Sequence, residues 1–374
     1  MLSRVFMAVC AGVAALLLLL GTPVRAQEAN PPFTFSDPLT HENLTVFLIC
    51  GQDVIQGHTY LSLGEALEMQ KLVVYETSNV NELLVENLST TDDVFIQAGE
   101  IVKGGKQDRV FAMDMIVPAK SGKVLIPVYC VEHGRWTPRG AEDSGKFNSS
   151  SSALPTNDLR LAATYVPSPA ANGGSSGGSN GAATPANGQS AVWQSVARQQ
   201  ANLSNNVGSS VNAKASDTSL QLSMENQKLR EMVAAYVKDI LPAAGRKADA
   251  IGYAVAVNGK VRSVDVYASH ALFLKLWPKM LDAASVQAVA ELDQGKKYEV
   301  VTADRVKTFM AAATGGKESN RSANGRLNLV QRDAQSVVQF ETQDRQQMGA
   351  GGIGGGMGGG GGRGGAVHQG WVGK

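Results

Sequence analysis

The sequence has few of the residue types from which recognisable catalytic and metal sites are built. It contains three cysteines and five histidines in 374 residues, and none of them has the spacing of a known metal site, so we predict no metal. It also has no recognisable nucleophile elbow, Rossmann fingerprint or phosphate loop of the form GxxxxGK[ST]; the letters G-x-S-x-G occur only inside the Gly/Ser-rich stretch of residues 173–181. Binding of nucleoside triphosphates is therefore disfavoured, and no cofactor is predicted.

The chain also lacks an excess of charge of either sign. Its formal net charge is +1, and removal of residues 1–26 takes away Arg4 and Arg25 but no acid, so the charge falls by two to −1. A nearly neutral chain gives no electrostatic reason to expect nucleic acid or an anionic membrane as partner. Aromatic residues make up only 6%, because glycine- and serine-rich segments dilute them.

The amino terminus has the pattern of a secretory signal peptide. Arg4 precedes an apolar run over 9–20, and Val24-Arg25-Ala26 is a small-residue cleavage site. A retained membrane anchor is the alternative, but the run is shorter than the ~20 residues that a span needs. We therefore predict cleavage after Ala26, a secreted or periplasmic protein, and no membrane span in the mature chain.

Only two cysteines, Cys50 and Cys130, remain after removal of the signal peptide. An even pair in an exported chain is first interpreted as a disulfide and only then as free thiols. We therefore predict a bridge between them, or at least proximity.

The first ordered region, residues 30–147, is rich in short predicted strands separated by turn residues. One helix is predicted from Ser62, where Glu65 completes a capping box. The pattern favours an antiparallel β-rich sheet or sandwich with one helix over alternating β-α-β units.

Residues 148–216 change in composition and are interpreted as a Gly/Ser-rich disordered linker, with a short helix near 191–203 that docks Trp193. Residues 217–345 form a second α+β region that packs on the first. It contains an Asn258-Gly259 hairpin and several helices, one of them kinked or divided at Pro278. Residues 346–374 are interpreted as a glycine-rich disordered tail. The fold class predicted for the whole chain is α+β.

The most distinctive stretch runs from Ala98 to Arg109, Ala-Gly-Glu-Ile-Val-Lys-Gly-Gly-Lys-Gln-Asp-Arg. Gly104-Gly105 between apolar runs predicts a two-residue hairpin turn. In that register Lys103 faces Lys106 and Glu100 faces Arg109, a complementary pair. The candidate ligand site comprises Lys103, Gly104, Gly105, Lys106, Gln107 and Arg109, which could hold an anion. A solvated hairpin tip is the plainer interpretation.

A second candidate segment runs from Cys130 to Trp136. Glu132, Arg135 and Trp136 join the predicted ligand site, although a core tryptophan covered by an arginine stem is the simpler interpretation. Cys130 lies on an apolar strand face, which favours a buried thiol or half-cystine over a nucleophile. Asp53, Glu76 and Asp114 are acids beside predicted strands, and the sequence alone does not bring them together in space.

These two blocks, residues 98–109 and Ile126–Glu132 with Arg135-Trp136, resemble those of a poorly characterised family, the ARG and Rhodanese-Phosphatase-superfamily Associated Protein domain. The likeness covers most of residues 30–345. The family's name implies association with ADP-ribose- or phosphate-handling proteins, and it carries over no catalytic residue.

The leading functional hypothesis is a secreted or periplasmic module that binds an unknown small molecule or protein, such as a phosphorylated or ADP-ribose-like ligand. The first alternative is a hydrolase of such a small molecule, with Glu132, His133 or Asp108 as acid or base. The second is a structural envelope protein whose glycine-rich tail mediates assembly.

Overall fold

The structure is a computed structural model, and it describes residues 33–55, 57–166, 188–350 and 365–374. The predicted signal peptide, residues 167–187 of the predicted linker and residues 351–364 of the predicted tail lie outside these ranges.

The described strands of the first half of the chain are β1 Thr34–Phe35, β2 Leu39–His41, β3 Leu44–Cys50, β4 Leu61–Ser62, β5 Leu72–Tyr75, β6 Glu82–Asn87, β7 Val94–Ile96, β8 Glu100–Gly104, β9 Arg109–Phe111, β10 Met115–Val117, β11 Gly122–Cys130 and β12 Lys146–Ala153. Those of the second half are β13 Ala250–Val257, β14 Lys260–Tyr267, β15 Lys317–Ala323, β16 Leu327–Asp333, β17 Val337–Asp344 and β18 Ala366–Gly373.

The described helices are α1 Leu63–Glu68, α2 Asn157–Thr164, α3 Gly188–Val207, α4 Leu220–Met224, α5 Gln227–Ile240, α6 His270–Ala290, α7 Ala303–Ala311 and α8 Arg345–Ala350. A 3-10 helix, Leu241–Arg246, directly follows α5. Strands and helices thus alternate irregularly along the chain, and the fold is α+β.

The described strands form three sheets. The largest has the order β1-β3-β13-β14-β18-β17-β16-β15, with β2 also paired to β3. Six strands close on themselves in the order β11-β6-β5-β12-β8-β9, and a small sheet has the order β10-β7-β4. The large sheet therefore combines strands from both ends of the chain.

Both faces of the large sheet are covered at its centre. One face packs into the main core with α6, which buries Phe273 and Trp277. The other face packs Phe47 and Val264 against Val306 of α7. Because neither face meets water, β3 and β13 are buried along their entire length instead of alternating.

Several local predictions are confirmed. Ser62 caps α1 and Glu65 completes the capping box, since its carboxylate accepts a hydrogen bond from the Ser62 backbone N–H at 2.9 Å. The Asn258-Gly259 turn joins β13 to β14, and both turn residues have positive φ. These features depend on neighbouring residues only, which explains why the sequence predicts them.

Three predictions are wrong in part or in extent. The sequence predicts a helix kinked or divided at Pro278, and division does not occur, because helix α6 continues through the proline to Ala290 with buried side chains on both sides that hold it against the core. The predicted linker contains the end of β12 and the whole of α2, and the short helix near 191–203 is the 20-residue α3.

The third error concerns the predicted disordered tail, because residues 366–373 form β18 inside the large sheet. This strand pairs with β14 on one side and with β17 on the other. Its hydrogen-bonding groups are satisfied on both edges, and Val367 and Trp371 are buried. The glycine content of the tail as a whole hid this short apolar segment.

Candidate functional site

The predicted Gly-Gly turn has a different register in the structure. Ile101 pairs with Val110 and Val102 with Arg109, so six residues, 103–108, separate the last paired positions of β8 and β9. We call this segment the hairpin loop, although its first two residues still pair with β12. A carboxylate oxygen of Asp108 accepts a hydrogen bond from the Gly104 N–H at 3.1 Å and closes it. Gly105 has φ +55°, and a Cβ there would lie 2.3 Å from the Phe147 ring, so this position requires glycine.

The shifted register separates Glu100 from Arg109, and the predicted pair between them does not form. The Glu100 carboxylate instead lies 2.6 Å from Lys279 Nζ on α6. The Arg109 guanidinium lies 3.6 Å from Glu76 and donates a 2.7 Å hydrogen bond to the Gln107 carbonyl. Lys279 on α6 and Glu76, directly after β5, are distant in sequence from Glu100 and Arg109, so local pairing rules could not predict these two ion pairs.

The two candidate segments do meet, in a buried network of charges. Arg139 donates two hydrogen bonds to Asp108, at 2.8 and 2.6 Å, and Arg135 donates two to Glu132, at 2.6 and 3.0 Å. Glu132 also accepts from the Asp108 backbone N–H at 3.0 Å. Burial opposes ionisation of Glu132, but the hydrogen bonds from Arg135 and its other donors outweigh it and lower the pKa. The network anchors the hairpin loop to the turn after β11.

Of the remaining residues of the predicted site, some lie at the surface and others are buried. Lys103 pairs with Glu225 at 2.7 Å, and Lys106 donates to the Ser78 hydroxyl at 3.3 Å. Gln107 is buried and donates to the Glu132 carbonyl. Trp136 is 58% exposed, so it is not the core tryptophan of the simpler interpretation.

The two cysteines are free and buried, and the predicted disulfide is not formed. Cys50 ends β3 of the large sheet, whereas Cys130 ends β11 of the closed sheet. The Cys130 thiol lies 3.3 Å from the Gln107 side-chain oxygen, and burial raises its pKa to about 11. A thiol with so high a pKa is a poor nucleophile at neutral pH.

A different place in the fold offers space for a ligand. A cavity of about 260 Å³ lies against one face of β15–β18, and we call it the sheet cavity. Its other walls come from Ala98, from Met113 and Asp114 after β9, and from α2 and the residues after it. Its volume is close to the lower end of the range for small-molecule sites.

The register of the large sheet decides which side chains face the sheet cavity. Directly paired residues of neighbouring strands point to the same face. One row across the sheet consists of Arg321, Leu329, Thr342, His368 and Tyr267. The adjacent row on the same face consists of Ser319, Gln331, Phe340, Gly370 and Asp265. Polar residues dominate the β18 end. Between them and Arg321 lie Leu329, Phe340 and Gln331, and the Gln331 side chain is engaged by the Val166 backbone.

His368 on β18 forms the polar floor of the sheet cavity. Its Nδ1 lies 2.7 Å from Asp114 and its Nε2 lies 3.1 Å from Asp265. Arg160 on α2 donates two hydrogen bonds to Asp265, at 2.8 and 3.2 Å, and the Thr342 hydroxyl donates to Asp114 at 2.6 Å. Two cations and two carboxylates thus compensate each other.

The two carboxylates keep His368 protonated. Burial alone would lower the pKa of His368, but the charges of Asp114 and Asp265 and their hydrogen bonds outweigh it and raise the pKa to about 9. Burial alone would raise the pKa of Asp114 and of Asp265, but neighbouring charges outweigh it and lower both pKa values. His368 lowers the pKa of Asp114, and Arg160 and His368 together lower that of Asp265. The floor is therefore a fixed, fully ionised arrangement at neutral pH.

Arg321, on the edge strand β15, also lines the sheet cavity but does not take part in the ion pairs of the floor. Among the described residues it has no hydrogen-bonding or ion-pair partner. It is only partly buried, and desolvation lowers its pKa from the ordinary arginine value. Glu341, an acid that also lines the cavity, is engaged by Arg332 at 3.5 Å. Arg321 is thus a guanidinium available to a ligand.

Almost none of this site is predicted from the sequence. Of its charged residues only Asp114 is among the candidate acids, because Arg160 falls in the predicted linker and His368 in the predicted tail. A usable signal existed in the last ten residues, where Val367, Trp371 and Val372 are strand-forming residues after a run of glycines. Arg321 gave no such signal, since its strand is mostly polar and exposed.

In the part of the chain that the structure covers, no group of three or more His, Cys, Asp and Glu side chains could hold a metal ion. None of the described helices is long and apolar enough to cross a membrane.

The described residues define an α+β protein with a buried charge network and a separate cavity. The chain belongs to the family described as ARG and Rhodanese-Phosphatase-superfamily-associated Protein domain, whose model matches residues 32–349. Strand β18, with His368, lies after the matched range. No curated protein and no solved structure matches the chain.

Proposed function

We propose that this protein is a small-molecule binding module whose ligand occupies the sheet cavity. The observation that carries the proposal is a preformed space of about 260 Å³ with a mostly apolar wall and a fixed polar floor. Binding sites for small molecules combine these two features, because apolar walls supply affinity and a few fixed polar groups supply orientation.

The hairpin loop is a weaker candidate for the same function. Its buried charges pair with one another, and Lys103 is engaged by Glu225. A phosphate or ADP-ribose-like ligand there would have to displace these contacts. The loop is better explained as a structural anchor between the closed sheet and the turn after β11.

A hydrolytic function gains no support from His368, the titratable group on the cavity floor. Both of its ring nitrogens contact carboxylates, and the ring is protonated at neutral pH. A general base needs a free lone pair within reach of the proton that it removes. Binding is therefore the function that this geometry favours.

Two tryptophan substitutions on β15 test the location of the ligand. Ser319 faces the sheet cavity, whereas the neighbouring Ser322 is exposed on the opposite face. Ligand-observed NMR with a fragment set that includes carboxylates, sugars, phosphate and ADP-ribose would first identify ligands of the wild type. We expect Ser319→Trp to weaken their binding at least tenfold and Ser322→Trp to leave it unchanged. Equal binding to both variants, or no bound fragment, would contradict the proposal.

We also propose that the protein is exported, on the basis of the pattern in residues 1–26. The test is expression of the full chain in a bacterial host, followed by mass spectrometry of the intact product. Export with cleavage gives a protein that begins at Gln27 in the periplasm or medium. A product that retains Met1 in the cytosolic fraction would overturn the proposal of export, but it would not affect the proposal that the sheet cavity binds a ligand.

A further inference from the structure

We infer that the sheet cavity binds a monocarboxylate with an apolar body, whose carboxylate pairs with Arg321. This inference rests on the proposed binding function and adds the chemical class of the ligand. Three observations support it: the charge balance of the cavity, the character of its walls and its size.

The charge balance calls for one negative charge. On the cavity floor, Arg160 and His368 are compensated by Asp265 and Asp114, and Glu341 is engaged by Arg332. Arg321 is left with a single positive charge and no partner among the described residues. A partly buried cation without a counter-ion is unfavourable, and a bound anion removes that cost.

The form of the head group follows from the same guanidinium. One arginine presents a planar fork that matches the two oxygens of a carboxylate. A phosphate monoester carries about 1.5 to 2 negative charges at neutral pH and would leave an excess of negative charge on a single arginine. The geometry therefore favours a carboxylate over a phosphate.

The body of the ligand follows from the residues between Arg321 and the floor. In the paired rows of the sheet, Leu329 is the direct neighbour of Arg321, and Phe340 lies in the adjacent row. Met113, which lies outside the sheet, also lines the cavity. These side chains offer no hydrogen bond to a sugar or a peptide, and they gain free energy by covering a hydrocarbon or aromatic group.

The size of the cavity limits the ligand further. Its volume of about 260 Å³ corresponds to roughly nine water molecules in the liquid. A medium-chain fatty acid or a small aromatic acid is of this order, whereas an ADP-ribose-sized molecule would remain largely outside.

Isothermal titration calorimetry with three probes tests the inference: octanoate, its neutral analogue octanamide, and inorganic phosphate. We expect the wild type to bind octanoate at least tenfold more tightly than octanamide and to bind phosphate weakly. Arg321→Gln should remove the preference for octanoate, and Arg321→Lys should retain part of it because the charge is kept. Arg198→Gln, which alters an exposed arginine on α3, is the matched control and should behave as wild type.

The outcomes separate this inference from the proposed function. Equal affinity for octanoate and octanamide, or an unchanged preference in Arg321→Gln, would overturn the carboxylate assignment, as would tighter binding of phosphate. If octanamide binding is still lost in Ser319→Trp, the cavity remains the binding site even though the ligand class is wrong. If no probe is affected by Ser319→Trp, the proposed function itself fails.

Discussion

Asp114 and His368 meet 2.7 Å apart on the floor of the sheet cavity, although 254 residues separate them in the chain. With Asp265 on its other nitrogen, the imidazole has a pKa of about 9 in the folded protein, against 6.5 for an unperturbed histidine. Such a difference makes the free energy of unfolding depend on pH.

The sign of this dependence follows from the raised pKa. The contribution of His368 is fully present below pH 6.5 and is lost as the pH rises through about 9. Its full size is of the order of 3 kcal/mol. We expect urea unfolding at pH 6.5, 8 and 9.5 to show a larger loss in the wild type than in His368→Gln, which keeps the loss due to the buried Cys130 thiol but not that due to His368. The same slope in both proteins would contradict the assignment.

The C-terminal strand is expected to be essential for stability. Removal of residues 365–374 would expose the edges of β14 and β17 and take away the buried Trp371. We expect Trp371→Ala to cost about 3 kcal/mol or more in urea unfolding, and Lys374→Ala, at the partly exposed end, to cost under about 1 kcal/mol.

A synthetic peptide of residues 365–374 should raise the melting temperature of the truncated chain. A truncated chain that melts as the wild type would show that β18 is dispensable.

The buried charge network around the hairpin loop should contribute far more to stability than the surface lysines. Asp108→Asn weakens two charge-assisted hydrogen bonds to Arg139 in a buried site, and although Glu142 still pairs with Arg139 we expect a cost of about 2 kcal/mol or more. Lys103→Gln breaks only the partly exposed pair with Glu225 and should cost under about 1 kcal/mol. Chemical denaturation of the two variants checks the ranking. Similar losses would mean that the buried network is not a structural anchor.

The observed partner of Glu100 can be tested by a double-mutant cycle. Glu100→Gln and Lys279→Met remove the two members of the 2.6 Å pair between β8 and α6. We expect their effects on the free energy of unfolding to be non-additive by about 1 kcal/mol or more. The cycle of Glu100→Gln with Arg109→Met, the pair that the sequence predicts, should be additive within about 0.5 kcal/mol. The opposite pattern would restore the sequence-predicted register.

Free thiols are expected at both remaining cysteines. A chain that begins at Gln27 should release two titratable thiols in denaturant without reductant, and almost none when folded, because Cys50 and Cys130 are buried. The measurement is a reaction with a thiol reagent in both conditions. No titratable thiol in denaturant would mean that the bridge exists.

The sequence by itself determined the elements that depend on neighbouring residues. The capping box at Ser62 and Glu65 and the Asn258-Gly259 turn are formed by contacts within a few residues, so the pattern is sufficient to predict them. The same holds for the strand-rich first region and for the family resemblance, which rests on contiguous blocks.

The candidate site was decided by tertiary structure. The charged residues that flank the hairpin loop pair with residues that only the fold brings near: Glu100 pairs with Lys279 and Arg109 with Glu76, instead of with each other. The sheet cavity depends on the position of β18 between β14 and β17, which places His368 in the row that begins at Arg321. The order and register of strands so distant in sequence depend on the total apolar surface that both faces of the sheet bury. No pattern within a few neighbouring residues determines that total.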